Sequence, residues 1–505
     1  MLAAILGSSL AFVDGTVVNV ALPALQRDLG VAMADVQWVV EAYALLLSAL
    51  LLVGGALGDR LGRRRVYAGG IVLFAAASVA CGMASGIRQL VTARAVQGVG
   101  AALLVPGSLA IISASFPERE RGRAIGTWSG FSAITTACGP VLGGWLIEHL
   151  SWRWAFFVNV PVAVGVLGLL LWRVPESRDE SAGRIDWAGA TLVTSGLGGI
   201  VYGLIESSRL GWGDARVLFG LAGGVVGLLA FVAVEARSRS PMIPVALFRS
   251  RNFNGANLLT LLLYGALGGV FFFVPLDLIQ VQRYSATAAG AAGLPFVTIL
   301  FLLSRWSGGL LDRLGARLPL VVGPMIAAVG CTLLALPGIG GSYWTTFFPA
   351  MVVLGLGMAV SIAPLTTTVM NAVDMRHGGV ASGINNAVSR TAGLLAIALM
   401  AGLFLHVFTK EMDRRLTALN LAPQVAAALD RERLKLGGAE VPANVRSSDR
   451  AIVDEILAAA FVRGFRSVAL LAAALALASS AAAAVMIDRD GRSPGRIARD
   501  SCRQD

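Results

Sequence analysis

Six charged residues stand inside otherwise apolar runs of this chain: Asp14, Glu41, Arg94, Asp277, Arg305 and Arg390. A charge at the centre of a bilayer costs at least about 2.5–3.5 kcal/mol, so each is a candidate for function. At about 1.5 Å of rise per residue, Asp14 lies about ten, Arg94 about six and Glu41 about five residues from the same-side end of their runs. All three therefore sit at similar depth. A carboxylate that alternates between dry surroundings and an arginine partner can take up and release a proton, and Asp14 is the acid best placed to do so. Read as structure only, Asp14 is a packing contact with Asn19 or a neighbouring helix, and Arg94 a clamp on backbone carbonyls. Glu41 reads equally as a second proton site, a counter-ion for cationic substrates, or an interfacial acid that snorkels. Asp277, close to the end of its run, reads as interfacial, and Arg305 as lying near the membrane surface. Gln97, Asn385, Asn386 and Arg390 are candidates to face a cavity.

The elements that must hold these residues are set by composition. The chain has 505 residues, 56% of them hydrophobic and 14% charged, where a soluble domain is about a quarter charged. This is the composition of one large membrane bundle. About 20 apolar residues cross a bilayer core. Fourteen such runs are present, centred near Phe12, Leu47, Leu73, Leu103, Ile134, Val162, Val193, Val225, Gly265, Ile299, Ala328, Val353, Leu395 and Leu475. Backbone groups in lipid must pair within their own segment, so the runs are helices. The short alternating segments of a β-barrel are missing from the sequence. The first run, interrupted by Asp14, reads as a transmembrane helix rather than a cleaved leader.

The formal net charge is +11. Nucleic-acid binding is not expected, because the arginines form short clusters between apolar runs instead of one stripe. Such clusters mark the cytoplasmic side of membrane helices. Short loops of one set hold seventeen arginines, among them Arg60, Arg63, Arg64, Arg65, Arg119, Arg121 and Arg123, against six in the alternate set. Both termini are then expected in the cytoplasm, and the stretch 406–463 is expected to be an external loop, read as structure only as a small amphipathic hairpin or cap on that face. Cys81, Cys138, Cys331 and Cys502 show no metal-ligand spacing, and His149, His377 and His406 are scattered, so no metal is expected. No nucleotide-binding loop, HExxH or nucleophile elbow is present, which argues against an enzyme or an ATP-driven pump.

The sequence also repeats itself. Gly55-Ala-Leu-Gly-Asp59-Arg60-Leu-Gly62-Arg63 follows the second run, and Gly308-Gly-Leu-Leu-Asp312-Arg313-Leu-Gly315 follows the tenth. The glycines suit tight turns, and the aspartates can cap a helix or pair with arginine. Repetition between halves is how many transporters are built. If the first six spans match the last six, the seventh and eighth are an inserted pair. The expected fold is an all-α polytopic membrane protein with two six-helix bundles, residues 1–172 and 255–487. The inserted pair would occupy 173–254, and 488–505 a cytoplasmic tail.

These residues carry a resemblance. The chain resembles the major facilitator superfamily, and within it the fourteen-span drug–proton antiporter branch. The similar segments are Asp14 to Pro23, Gly55 to Arg65, Arg94 to Gly100, Gly139-Pro140-Val-Leu-Gly143-Gly144 and Trp152 to Pro161. Together they cover successive helices in the family's order. Thr135 departs from the pattern, standing where the family has a further glycine, and so does Arg305. The resemblance implies a role for Arg94 in proton transfer. It further implies export of small amphipathic compounds across the cytoplasmic (inner) membrane by alternating access. A proton gradient would supply the energy, with no cofactor. The alternatives are a transporter for one specific metabolite and a non-transporting receptor. Expected partners are a small-molecule substrate, protons and the lipid bilayer, with a periplasmic adaptor left open.

Overall fold

A computed structural model describes residues 1–116, 118–178, 186–238, 245–308, 310–373, 378–417 and 447–488. Among the described residues there are helices and no strand. The first half contains α1 (Leu2–Leu29), α2 (Met33–Leu61), α3 (Arg63–Gly82), α4 (Ile87–Ser115), α5 (Glu118–His149), α6 (Trp154–Phe157) and α7 (Asn159–Arg173). Next come α8 (Trp187–Leu210) and α9 (Ala215–Arg237). The second half contains α10 (Arg251–Gln280), α11 (Ala286–Ala291), α12 (Leu294–Gly308), α13 (Leu310–Leu314), α14 (Arg317–Leu334), α15 (Phe347–Asn371), α16 (Gly378–Thr417) and α17 (Ser447–Met486).

Among the described residues, 13 segments are long and apolar enough to cross a membrane. The remaining expected centre, Ile134, falls in α5, a helix of 32 residues. Every expected centre therefore lies in a helix. The sixth span is α6 continued by α7, and the tenth is α11 continued by α12.

Within the first half α2 packs on α4, α3 on α4 and α7, and α1 on α5. Within the second, α10 packs on α16 and α17, α14 on α15 and α17, and α12 on α15. The helices α8 and α9 pack on each other, backbone against backbone. A Cβ at Gly199 would come 3.0 Å from Cα of Gly224, an approach that small residues permit. α8 also leans on α2 and α16, at the seam between the halves. The halves meet through α1 with α10, α2 with α16, and α5 with α11 and α12.

The stretch 406–463 is less of a loop than expected. α16 and α17 each run 40 residues, which is about 60 Å of helix, roughly twice a bilayer core. Their projecting ends zip together through Phe404, Phe408, Met412, Val453, Phe461 and Phe465, all buried. Glu411, buried beside Met412, pairs with Arg414 and Arg415, each at 2.7 Å. Arg283 clasps Asp454 at 2.7 Å and ties this extension to the end of α10. Residues 418–446 and the tail from 489 lie outside the described residues.

Candidate functional site

Asp14 is fully buried in the middle of α1 and turns into the first half. Arg94, near the start of α4, is 1% exposed and meets it through Nη1 at 2.5 Å from Oδ2. The second carboxylate oxygen accepts from Nε2 of Gln97 at 2.8 Å and from Nδ2 of Asn159 at 2.9 Å. Gln97 is held in turn: its Oε1 accepts from Arg94 Nη1 at 2.7 Å, and its Nε2 also donates to Ser78 Oγ at 2.9 Å. The Cys81 thiol points at Gln97 Oε1, 3.7 Å away. The guanidinium does two further things. Its Nε donates to the carbonyl of Val39 at 2.9 Å, and its carbon lies 4.2 Å from the Tyr43 ring centroid. Arg94 is thus both the partner of Asp14 and a clamp on α2. Five helices converge here: α1, α2, α3, α4 and α7. A buried ion pair survives in lipid only when its remaining hydrogen-bonding capacity is met, and this one is met on nearly every atom.

Sequence reasoning named Asp14, Arg94 and Gln97 but missed the others. Gln97 is buried inside the first half rather than facing a space between the halves. Asn159 lay within the quoted segment Trp152 to Pro161. The structure places it at the first turn of α7, where the span breaks from α6.

Glu41 is also fully buried, on α2. Neither of its carboxylate oxygens has a hydrogen-bond partner among the described residues, nor does Nε2 of Gln37 one turn away. The structure does not bring Glu41 into the Asp14 network. Asp277, expected at the interface, is 1% exposed. The chain after α10 folds back over it: Tyr284 N bonds to Leu278 O, and Gln282 Nε2 reaches Asp277 Oδ2 at 3.3 Å. The side chain of Arg305 lies outside the described residues. Asn385 faces α10, donating to Asn257 Oδ1 and Thr260 Oγ1 at 3.1 and 2.7 Å. Asn386 is exposed, and Arg390 points across the seam at Phe12 of α1, 6.0 Å from the ring centroid.

The repeated loop has a repeated backbone. Gly62 and Gly315 both take positive φ, 110° and 74°, a region that favours glycine. Asp59 pairs with Arg63 one turn on, at 2.8 Å, and Arg60 is exposed. Gly55 stands beside Pro106 of α4. The N-terminus of α3 is capped by Glu176, whose carboxylate accepts from the backbone N–H of Arg64 and Arg65 at 3.0 and 3.2 Å. In the second copy Arg313 is exposed, and the side chain of Asp312 lies outside the described residues. A Cβ on Gly62 would sit 2.7 Å from Glu176 Oε1. Gly62→Ala is therefore expected to displace this cap and to strain the backbone, lowering stability by roughly 1–3 kcal/mol. A thermal melt of the purified protein reads it, and an unchanged midpoint would remove the cap from the account.

The α5 glycines serve two partners. Gly139 faces Thr16 and Gly143 faces Val17, both on α1. Gly144 instead lies against the backbone of Ala286 and Thr287, and Gly290 of α11 lies against the carbonyl of Pro140. Glu148, at the end of α5, accepts from the hydroxyl of Thr287 at 2.7 Å and from its N–H at 3.3 Å. The first half is thus stitched to the second at the end of α5 away from the arginine-rich loops.

Comparison with known proteins agrees with this architecture. The profile of the Major Facilitator Superfamily matches residues 4–397. The chain is 36% identical over 401 residues to the Multidrug resistance protein Stp of Mycobacterium tuberculosis (strain ATCC 25618 / H37Rv), covering 78% of this chain and 73% of that protein. It is 32% identical over 493 residues to the Tetracenomycin C resistance and export protein of Streptomyces glaucescens, covering 96% and 90%. Among solved structures it is similar to a bacterial homolog of the human lysosomal transporter Spinster in an inward-facing, unoccupied conformation. There the TM-score is 0.64 at 18% identity, over 95% of this chain and 96% of that one. The likeness in sequence, the helical bundle and the paired halves place the chain among membrane transporters rather than enzymes, and it belongs to the major facilitator superfamily.

Proposed function

We propose that the chain is a proton-coupled antiporter that exports small amphipathic compounds across the cytoplasmic membrane by alternating access, with both termini in the cytoplasm. The observation that carries the reading is the buried Asp14–Arg94 pair. A static contact would not need an ion pair at this depth, where an apolar pair of equal volume packs at lower cost. The carboxylate has an arginine on one side and two amides on the other, so a change of conformation that moves the arginine also changes the surroundings of the acid. The names of relatives, resistance and export proteins among them, support the direction and the substrate class.

The test is accumulation of fluorescent amphipathic dyes in cells expressing the protein, with and without an uncoupler, beside Asp14→Asn. Dye is expected to be low in wild-type cells and restored to the level of empty cells by uncoupler or by the substitution. Wild-type cells that accumulate dye as empty cells do would sink the broad export reading and point to one dedicated metabolite.

A further inference from the structure

We propose that Arg390 is the recognition cation of the transport cavity, and that the compounds carried bear an acidic group, a carboxylate or acidic phenol, on an apolar ring system. The inference rests on the transport reading above and narrows its substrate class.

Two faces of α16 can be told apart. One turns to α10, through Asn385 and its bonds to Asn257 and Thr260. The other holds Gly383, Asn386 and Arg390, at three and seven residues' distance along the helix. It meets α2 at Gly383, where a Cβ would lie 3.4 Å from Leu52, and α1 at Arg390. Asn386 is exposed, and its amide donates to the carbonyl of Ser382 on its own helix at 3.1 Å. Arg390 reaches over the Phe12 ring. On α1, Gly15 and Asn19 share the Phe12 face, at three and seven residues' distance along the helix. Gly15 leaves that wall low beside the Tyr43 ring. Asn19 Oδ1 has no partner among the described residues.

The charge balance at this level then decides the ligand. Asp14 is occupied by Arg94, Gln97 and Asn159. Both oxygens of Glu41 are without hydrogen bonds, so Glu41 does not pair with Arg390. Among the described residues, no carboxylate lies within ion-pair distance of Arg390. Arg94, by contrast, is held by Asp14, Gln97 and the Val39 carbonyl. An arginine inside a membrane protein without an anionic partner is costly, and an incoming anion relieves that cost. The guanidinium fork matches a carboxylate in two parallel bonds and its plane stacks on aromatic rings. A ligand with its acid group on the fork and its flat ring against the Phe12 side of the cavity uses both properties.

The experiment uses the full-length protein purified in detergent and two dyes built on the same xanthene skeleton: fluorescein, which carries a carboxylate, and rhodamine 6G, an esterified cation. Binding is read by fluorescence polarisation with no gradient present, so it does not depend on proton coupling or direction of transport. Wild type is expected to bind fluorescein, and Arg390→Gln to weaken that binding by about 10- to 100-fold while leaving rhodamine 6G unchanged or tighter. Arg390→Lys should fall between the two. Asn386→Asp, which sets a carboxylate one turn from the guanidinium, is expected to weaken fluorescein about tenfold, and it serves if Arg390→Gln does not fold. A wild type that does not bind fluorescein overturns the proposal. So do substitutions that weaken both dyes equally or neither. Binding as expected without energised export would keep the acidic site and sink the antiport reading.

Discussion

Arg94→Leu is expected to abolish energised dye export and to destabilise the protein by roughly 3–5 kcal/mol, the usual cost of breaking a buried pair from one side. Asp14 would remain fully buried with two amide donors and no cation. The Val39 carbonyl would lose its donor, and the Tyr43 ring the cation stacked on it. Asp14→Asn errs in the other direction, leaving the guanidinium with Gln97 Oε1 and the Val39 carbonyl. The double substitution Asp14→Asn with Arg94→Gln removes both charges together. Residues in one network couple, so the double variant should be more stable than the sum of the single losses implies. Export should stay absent in all three, because the two variants with Asp14→Asn lack the carboxylate to carry the proton and Arg94→Leu lacks the cation that pairs with it. Thermal midpoints of the purified variants, with dye uptake into everted vesicles, separate the two effects. Wild-type uptake by Arg94→Leu would remove Arg94 from the coupling step, whatever its effect on stability.

The spans were legible because lipid imposes one rule, an unbroken apolar run wound as a helix, and that rule is written residue by residue. Asp14 and Arg94 were legible for the opposite reason: each breaks the rule at a cost no neutral side chain incurs. Of the neutral partners only Gln97 was singled out. Ser78 and Asn159 are common in membrane helices, and nothing local shows that Asn159 turns inward to a carboxylate 145 positions back along the chain, or that Ser78 accepts from the Gln97 and Asn159 amides that hold it. Glu176 was hidden in the same way, since it caps α3 from 112 residues away. The repeated loop was legible down to its backbone, because positive φ at Gly62 and Gly315 is a property of single residues. The ends of α16 and α17 were expected as external loop, or at most a small amphipathic hairpin, because charges interrupt their apolar run. How Phe408, Met412 and Val453 become buried is a matter of pairing between helices. Asp277 was misplaced because its cover comes from a turn beyond the helix end.

Gly144→Val is expected to break the contact between the halves while leaving each half folded. A side chain at Gly144 would bring its Cβ to 2.6 Å from Cα of Thr287. The obstacle is backbone, which cannot rotate aside, so α5 and α11 must separate. Overpacking of this kind costs about 1–3 kcal/mol. Under alternating access the cost falls only on the conformation in which α5 and α11 touch, so it acts as a population shift of about 5- to 150-fold toward the other conformation. Gly143→Val is the contrast. Its Cβ would meet Val17 Cγ1 at 2.8 Å, and that contact lies within the first half, so it weakens both conformations alike. A cysteine pair, Glu148→Cys with Thr287→Cys, reads the clasp directly, since the native side chains meet at 2.7 Å. The exposed Cys138 is replaced by serine to keep the assay clean. Cross-linking is expected to be efficient in this background, to drop at least several-fold with Gly144→Val, and to persist with Gly143→Val despite a lower thermal midpoint. Equal cross-linking in the two glycine variants would show that closure does not depend on the α5–α11 approach. The glycines would then be packing residues of the first half alone.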